Sequence, residues 1–486
     1  MQYSVVNKNQ IEQSVFGDRI DAEFYLPTYL NAESTIEKHG FNLLNNITSK
    51  IDVGHVGSMV NEYTNAGIWL LQTQNVKAFF LDEANKIFIT QQFHEYLKKS
   101  KVRKGDILIA RSGSFGTASI YLENDEINSA DVIIIKPQEQ LINPYYLVTY
   151  LNSSYGMNQL LRFASGGLQG HVNLTILENL KVCNIESALQ NQIEQIVKES
   201  YIQRKNSEHL TDYAKTLLLF ELDLSSWQPK HQLSFVKNYS DTVEVERIDA
   251  EYFQPKYDEI VKAIKGYSGG WDTLGNLVQL KEKNFNPLDK NEYKYIELSN
   301  IGGNGEITDC MIEEGQDLPS RARRKVATGD VIVSSIEGSL SSIALIEKEY
   351  NQALCSTGFH VINSKSFNSE TLLVLLKSMV GQLQFKKGCS GTILTAINQE
   401  EFKQIVLPII RDKTQKAIQQ KITESFNLRK QSKHLLECAK RAVEIAIEQN
   451  EDAAIKWLKE QTNESLLDRL ERGHQQAVQK KGRMIG

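Results

Sequence analysis

The longest regular pattern of apolar residues occurs twice and predicts two long helices. Apolar residues recur at spacings of three and four in a first stretch, at Ile193, Ile196, Val197, Tyr201, Leu210, Ala214, Leu217 and Leu218. A second stretch repeats the spacing at Ile418, Ile422, Phe426, Leu435, Ala439, Ala442, Val443 and Ala446. Neither Gly nor Pro interrupts residues 184–228 or 409–472. The pattern predicts helices of about 30–40 residues each.

The two predicted helices belong to an internal repeat. Residues 193–220 align without gaps on residues 418–445, and 11 of the 28 positions are identical. The sequence R-I-D-A-E at 19–23 recurs at 247–251, and each copy is followed by two aromatic residues and a proline. We therefore interpret the chain as two tandem copies of one unit of about 225 residues.

A narrow apolar stripe on so long a helix requires a partner of matching length. We expect each helix to pair with its copy as an antiparallel coiled coil. The alternatives are a parallel pair and helices that each pack on their own domain. His209 and His434 occupy equivalent positions in the two helices, where we interpret them as polar residues that set the register of the coil; a metal site is the alternative interpretation.

The segments between the helices predict a mixed fold. Strand-like runs occur at Ile107–Ala110, Val132–Ile135, Val331–Ser334 and Phe359–Ile362, and short helical patterns at 143–152 and 369–379. These patterns predict the fold class α+β, with two tandem α+β domains and two long helices. We expect domains at 1–185 and 229–410, long helices at 186–224 and 411–450, and a helical tail at 451–486 that covers either the N-terminal domain or a partner subunit.

Composition narrows the class of protein. The 486 residues include 55 Lys and Arg against 60 Asp and Glu, a net charge of −5, which argues against a protein that binds nucleic acid by bulk charge. The five cysteines form no CxxC pair, the N-terminus has no apolar core of a signal peptide, and no apolar run is long enough to cross a bilayer. We expect a reduced protein of the cytoplasm.

No motif of a catalyst is present. The chain contains no P-loop, no GxSxG elbow and no HExxH metal motif. The sequence Asn143-Pro144-Tyr145-Tyr146 lacks the second proline of an amino-methyltransferase motif, and we interpret it as a capped helix start. The sequence therefore favours a binding protein over an enzyme, with no catalytic residue and no metal ligand.

Positive charge gathers at matching places in the two copies. Before the first Gly-Asp strand lie Lys98, Lys99, Lys101, Arg103 and Lys104, and before the second lie Arg321, Arg323, Arg324 and Lys325. Acidic residues, including Glu126 and Asp131, lie in separate stretches of sequence. A solvated face is the ordinary explanation of one such run, but its recurrence favours a surface that binds phosphate.

Small polar turns follow both Gly-Asp strands. We expect the side chains and amides of these turns, together with the Gly-rich loops, to contact DNA. Arg111 suits guanine, and Glu337 suits cytosine. The candidate contacts are Arg111, Ser112, Ser114, Gln169 and His171 in the first copy and Ser334, Ser335, Glu337, Ser339 and Thr392 in the second. An ordinary tight turn, without contact to DNA, is the alternative at each position.

The ordered double set of motifs resembles the specificity subunits (S, or HsdS) of type I restriction-modification systems. The resemblance rests on both R-I-D-A-E sequences, on the Gly-Asp strands at 105 and 329, on Pro144-Tyr145-Tyr146-Leu147, on the Ser-Gly…Asn loops at 165–173 and 390–398, and on both long helices. It covers nearly the whole chain to about residue 450. The middles of the two domains, 50–100 and 275–320, show no alignable identity.

The resemblance implies a non-catalytic subunit that recognises a bipartite target in double-stranded DNA. Each domain would read one half-site, and the coil would set the spacing between them. Two methyltransferase subunits, and in a full complex the restriction subunits, would be its partners. S-adenosylmethionine, Mg and ATP would belong to those partners, with no cofactor in this chain. The alternative hypothesis is a scaffold with two ligand-binding domains on a coiled coil.

Overall fold

The computed structural model describes residues 4–6, 11, 19–111, 116–164, 172–390 and 395–462. The chain divides into two compact units. The first combines Met1–Gln203 with Lys430–Gly486, and the second is Arg204–Arg429. Among the described residues, no helix has both the length and the apolar content needed to span a membrane.

The first unit contains eleven strands in its described residues. They are β1 (Phe41–Leu43), β2 (Thr48–Val53), β3 (Tyr63–Thr64), β4 (Ile68–Gln72), β5 (Ile87–Ile89), β6 (Lys101–Val102), β7 (Ile107–Ala110), β8 (Ala118–Ile120), β9 (Ile127–Ala130), β10 (Val132–Pro137) and β11 (Lys181–Cys183). Its helices are α1 (Pro27–His39), α2 (Gln91–Tyr96), α3 (Pro144–Asn152), α4 (Ser154–Ala164), α5 (Leu174–Glu178) and the start of α6 (Ser187–Glu221).

The second unit begins within α6 and continues with twelve strands among the residues described. They are β12 (Trp271–Thr273), β13 (Val278–Leu280), β14 (Glu292–Ile296), β15 (Met311–Glu314), β16 (Ala322–Lys325), β17 (Val331–Ser334), β18 (Ile343–Leu345), β19 (Leu354–Ser356), β20 (Phe359–Ser364), β21 (Cys389–Ser390), β22 (Ala396–Ile397) and β23 (Val406–Pro408). Its helices are α7 (Tyr239–Glu244), α8 (Pro255–Lys265), α9 (Leu274–Leu277), α10 (Ser369–Lys377), α11 (Met379–Gly388), α12 (Gln399–Lys403) and the start of α13 (Asp412–Glu448).

Both units contain the same two main sheets. A framework sheet has the order β2–β10–β7–β8 in the first unit and β13–β20–β17–β18 in the second. A mixed sheet has the order β3–β5–β4–β9–β6 in the first unit and β15–β14–β19–β16 in the second, with a parallel pair in each, β4 with β9 and β14 with β19. The α+β repeat is confirmed, and its topology persists where sequence identity does not.

The Gly-Asp pair of each copy forms the turn that enters the framework sheet. Gly105 and Gly329 have φ of 88° and 87°, a left-handed conformation that glycine adopts without strain. The following aspartates, Asp106 and Asp330, are buried, and each carboxylate accepts a hydrogen bond from a backbone amide three residues earlier, at 2.8 Å in both units. The turn therefore needs glycine for its backbone and aspartate for its closure.

Each buried aspartate also binds a lysine, but the lysines come from different strands. Lys136 on β10 binds Asp106. Lys281, which directly follows β13, binds Asp330 with Nζ–O distances of 2.7 and 2.9 Å. Asn363 occupies the position of Lys136 on the matching strand and donates to Asp330 at 3.3 Å. The charge balance of the turn is therefore kept, although the strand that supplies the cation has changed.

The long helices run antiparallel, as predicted. In the first unit, Ser200 of α6 and Ser432 of α13 have hydroxyl oxygens 2.8 Å apart. In the second unit, Ser207 and Ser425 are paired in the same way at 2.9 Å. As the residue number rises along α6, that of its partner on α13 falls, which is the register of an antiparallel pair.

The predicted role of the two histidines is wrong. His209 and His434 are exposed, so neither lies inside the coil. The seam instead holds the buried serines, which are small enough to let the helices approach and which hydrogen-bond across the interface. The polar residues that fix the register are therefore serines rather than histidines.

The start of the C-terminal tail packs on the first unit. Helix α14 (Glu451–Gln461) buries Ala454 and Leu458 completely in the same core as Leu189 and Ile193 of α6. A carboxylate oxygen of Glu451 accepts the backbone amide of Glu186 at 2.8 Å. Of the two expectations for the tail, cover of the N-terminal domain is the one that the structure supports.

Candidate DNA interface

Two lysines of the first basic stretch are available to a ligand. Lys98 and Lys99 lie on a short 3-10 helix, Lys98–Ser100, that leads into the edge strand β6 of the mixed sheet. Both side chains are exposed, and neither forms an ion pair with any described residue. A cation that contacts phosphate must not already be held by a group of the protein, and both lysine side chains meet this requirement.

The next cations of this stretch are already paired. Lys101 contacts Glu126 at 2.9 Å and Glu95 at 2.7 Å, and the guanidinium of Arg103 also binds Glu126. Burial opposes ionisation of Glu126, but the hydrogen bonds from Lys101 and Arg103 outweigh it and lower its pKa to about 2. Lys104 donates to the side-chain oxygen of Asn124 at 3.0 Å. These three cations therefore share their charge with protein groups.

Arg111 lies at the end of β7, away from that cluster. Its guanidinium binds the Asp131 carboxylate at 2.8 Å, with a third of the Arg111 side chain and nearly half of the Asp131 side chain exposed. Glu126 and Asp131 flank β9 at its two ends, so Arg103 and Arg111 are held at opposite ends of one strand. The acidic residues that are separate in sequence thus lie beside the basic residues in the fold.

In the second unit, Arg321 is one of two exposed cations of the basic stretch, the other being Lys325. The carbonyl of Arg321 accepts the amide of Thr357 at 2.9 Å, which places Arg321 beside the turn between β19 and β20. Arg323 donates to the carbonyl of Ser320 at 3.0 Å, and Lys325 lies 4.8 Å from the centre of the Phe285 ring. These contacts occupy Arg323 and Lys325 without neutralising them.

Arg324 is half-buried, and part of its guanidinium lies inside the fold. Its Nε and Nη1 atoms are buried and have no hydrogen-bond partner among the described residues. The residue is on β16, opposite the fully buried Cys355 on β19. This placement turns part of the guanidinium away from solvent, because strand alternation points every second side chain of the basic stretch inward.

The turn after β17 is closed by its own side chains. Ser334 is fully buried and its hydroxyl lies 2.9 Å from that of Ser339, which speaks against the predicted DNA contact by Ser334. The Glu337 carboxylate is bound by the ammonium of Lys386 and by the hydroxyl of Thr395. A cytosine would have to compete with these two donors for Glu337.

One position in this region differs in chemistry between the units while its place in the fold is the same. Arg111 directly follows β7 and meets Asp131, the residue between β9 and β10. Ser335 directly follows β17 and donates to the carbonyl of Gly358, between β19 and β20, at 3.0 Å. A charged, partly exposed pair in one unit is therefore replaced by a neutral one in the other.

Five predicted contacts fall outside the described residues. They are Ser112, Ser114, Gln169, His171 and Thr392. Sequence reasoning missed Asp131 and Glu126 as partners of the basic residues. The one local signal for Asp131 is its position between two strand-like runs, where it takes a left-handed φ of 52° that aspartate tolerates better than most residues.

Comparison with known proteins identifies the family. The model of the type I restriction modification DNA specificity domain matches residues 73–212 and 271–437. The chain belongs to this family. Its specificity domain occurs twice, and each match includes strands of both main sheets together with part of the long helix that follows. A comparison with curated proteins gave no match.

Several solved structures are similar to this type I specificity chain. The S subunit of a type I restriction-modification system from M. genitalium is 12% identical, with 86% of this chain and 95% of that chain covered and a TM-score of 0.36. The HsdS subunit from Thermoanaerobacter tengcongensis is 12% identical, with 85% and 97% covered and a TM-score of 0.28. The two matches of the family model, rather than these structures, show that the chain is a DNA-specificity subunit with two specificity domains.

Proposed function

We propose that each unit reads one half of a bipartite target in double-stranded DNA, and that the subunit brings this target to methyltransferase subunits. Restriction subunits join the same complex where the system cleaves DNA. The chain carries out no catalysis and holds no cofactor; S-adenosylmethionine, Mg and ATP belong to its partners. It acts in the cytoplasm, where its DNA target is found.

The observation that carries this proposal is the exchange of Arg111 and Asp131 for Ser335 and Gly358 on one framework. Sequence readout requires different hydrogen-bonding groups at base edges, and it requires a rigid support that holds them in place. The two units share the support and differ in the groups. Two such sites in one chain recognise two different half-sites.

Exchange of the recognition region tests the proposal. Residues 50–170 would be replaced by the corresponding residues of another specificity subunit, and the sequences methylated by the complex would be mapped. We expect one half-site to change, while the other half-site and the spacing stay the same. An exchange of residues 275–390 serves as the matched control and should change the other half-site. An unchanged methylation pattern in both would overturn the proposal.

A salt titration separates DNA recognition from a protein scaffold. Phosphate contacts release counterions, so DNA affinity should fall steeply as the salt concentration rises. Replacing Lys98 and Lys99 by Ala should weaken binding to all sequences equally and lower the slope of log K against log salt by about 0.9 for each phosphate that the protein no longer neutralises. A scaffold without a DNA interface would show weak binding at every salt concentration.

A further inference from the structure

A loop of the mixed sheet lies at an equivalent place in both units. In the first unit it is residues 76–82, between β4 and β5, and in the second it is residues 301–307, between β14 and β15. The carbonyl of Phe79 accepts the amide of the last residue of β8 at 2.9 Å. The carbonyl of Gly305 accepts the amide of the last residue of β18 at 3.0 Å. Each loop therefore joins its mixed sheet to the matching edge of its framework sheet.

The next residue of each loop contacts the long helix that follows in the same unit. Phe80 packs against Tyr201 of α6, with the two ring centres 5.2 Å apart. In the second unit, Glu306 forms an ion pair with the guanidinium of Arg429 on α13. Only 7% of the Glu306 side chain is exposed, so this ion pair is largely withdrawn from water. The same contact is therefore made twice, by aromatic packing in one unit and by charge in the other.

The two contacts use neighbouring positions of one repeated helix. Tyr201 corresponds to Phe426 in the repeat, and Arg204 corresponds to Arg429. Each long helix thus carries an aromatic residue and, three residues later, an arginine, which places both on one face of the helix. This face offers a partner to an aromatic residue and to an acidic one.

The loop of the second unit holds its carboxylate in a fixed position. The backbone carbonyl of Glu306 accepts the amide of Gly302 at 2.9 Å, and its side chain accepts the amide of Asn304 at 3.0 Å. On the helix, Nε of Arg429 donates to the hydroxyl of Ser207 at 3.5 Å. Ser207 is one of the buried serines of the coil, so Arg429 connects the loop to the residues that fix the register.

The framework side of each unit is held to the long helix by identical residues. The side-chain oxygen of Gln190 accepts the backbone amide of Asn143, before α3, at 3.0 Å. The side-chain oxygen of Gln415 accepts the backbone amide of Asn368, before α10, also at 3.0 Å. The contact of the framework is therefore kept between the units, whereas the contact of the recognition loop has changed together with the recognition segment.

We infer that the loop contacts on Tyr201 and Arg429 are positioning contacts, which fix each mixed sheet on its long helix and thereby fix the half-site spacing that the subunit accepts. The inference rests on the proposed function. A single contact near the start of a helix acts as a pivot, and a second contact further along removes the remaining rotation. Tyr201 and Arg429 lie about 16 and 21 Å beyond the glutamine contacts, at 1.5 Å per residue.

Removal of the ion pair tests the inference in the second unit. The full chain in complex with its methyltransferase would be assayed on DNA with the native half-site spacing and with spacings one base pair longer and shorter. Glu306→Gln combined with Arg429→Met leaves no unpaired charge in place of the ion pair. The preference for the native spacing should fall about ten-fold, an effect comparable to the loss of one base contact. Arg429→Lys keeps the charge and should retain most of the preference.

The first unit allows the same test without a change of charge. Tyr201→Ala removes the ring that Phe80 contacts and should lower the spacing preference as the double variant does. Tyr201→Phe removes only the hydroxyl, which binds Glu123, and should leave the preference intact. Tyr213→Ala on α6 and Lys421→Met on α13, at exposed or half-exposed residues of the same helices, are the matched controls.

The ratio between spacings separates positioning from simple stabilisation. A contact that only stabilises the fold changes the folded fraction, which lowers methylation at every spacing by the same factor. An unchanged ratio in both the double variant and Tyr201→Ala would overturn the inference and leave the proposed function standing. If the unmodified complex methylates DNA without regard to the half-sites, the proposed function fails and the inference fails with it.

Discussion

Ser200 and Ser432 exchange hydrogen bonds across the first unit's part of the coil. Each hydroxyl donates to the other residue's backbone carbonyl, at 3.0 and 2.9 Å, and the two hydroxyl oxygens are 2.8 Å apart. In the repeat, Ser432 corresponds to Ser207, and Ser425 corresponds to Ser200. The pair Ser207–Ser425 in the second unit therefore joins the same two repeat positions, and an antiparallel pairing of two copies explains both contacts.

Cysteine cross-linking should report this register. We expect Ser200→Cys combined with Ser432→Cys to form a disulfide on mild oxidation, because the two hydroxyl oxygens are already in contact. Ser200→Cys combined with Lys440→Cys should not, since residue 440 lies eight residues, or about 12 Å, further along α13. Mass spectrometry of the digested protein identifies the linked peptides. Linkage of the control pair, but not of the first pair, would contradict the register.

Arg111 should affect recognition of one base rather than overall affinity. Replacing Arg111 by Ala removes the donor at the end of β7, and we expect a loss of discrimination of about 1–3 kcal/mol at one position of the half-site read by the first unit. Competition binding with half-sites substituted at each position measures it. Lys98→Ala is the control and should weaken binding to every competitor equally. A uniform loss for Arg111→Ala would assign this residue to the phosphate backbone instead.

Glu126 should make the first unit sensitive to acid. Its pKa is about 2 in the folded chain, against an ordinary value of 4.5. A carboxyl group with a lowered pKa contributes stability that is complete above pH 4.5 and is lost as the pH falls towards 2. With allowance for solvent screening, we expect Glu126→Gln to cost about 1–2 kcal/mol near neutral pH.

Urea unfolding at several pH values checks this expectation. The difference in stability between the unmodified chain and Glu126→Gln should shrink as the pH falls from 4.5 towards 2. The neighbouring exposed carboxylate of Asp125 has no ion pair among the residues that the structure describes, so Asp125→Asn should show little difference at any pH. A Glu126→Gln difference that stays constant with pH would show that the contact acts by packing alone.

Lys281 should be required for the framework sheet of the second unit. Lys281→Met leaves the buried carboxylate of Asp330 without its cation, and we expect a loss of about 3 kcal/mol. Adding Asp330→Asn should recover part of this loss because the buried charge is then absent. Hydrogen exchange at the amides of β17 measures the local stability. Equal protection in the single and double variants would show that the lysine does not compensate the charge.

Local patterns predicted much of this fold from the sequence. The helical spacing gave the two long helices to within a few residues, and the apolar runs gave β7, β10, β17 and β20. The side chain of Asn143 accepts the amides of Tyr145 and Tyr146, so the capped start of α3 is also confirmed. Each of these features depends on residues close together along the chain, where spacing and side-chain type decide the structure.

The candidate site was less accessible to sequence reasoning because its contacts join distant positions. Lys101 and Glu126 are separated by 25 residues, and their contact depends on the pairing of β6 with β9. The inward direction of Arg324 depends on the register of β16, which the charge pattern does not contain. A run of basic residues therefore indicates a charged region, and only the fold determines which of its members are available.

The two lysines that bind the Gly-Asp turns limit how new specificities arise by recombination. In a hybrid with β2 and β7 of the first unit but β20 of the second, Asp106 would face Asn363 instead of Lys136. The position of Lys281 would hold Asp52, so the buried carboxylate of Asp106 would have no cation. The reciprocal product would place Lys136 and Lys281 on one aspartate. Viable hybrids must therefore inherit all four strands of a framework sheet together, along with the mixed-sheet strands that lie between them in the sequence. Recognition is then passed on as an intact block.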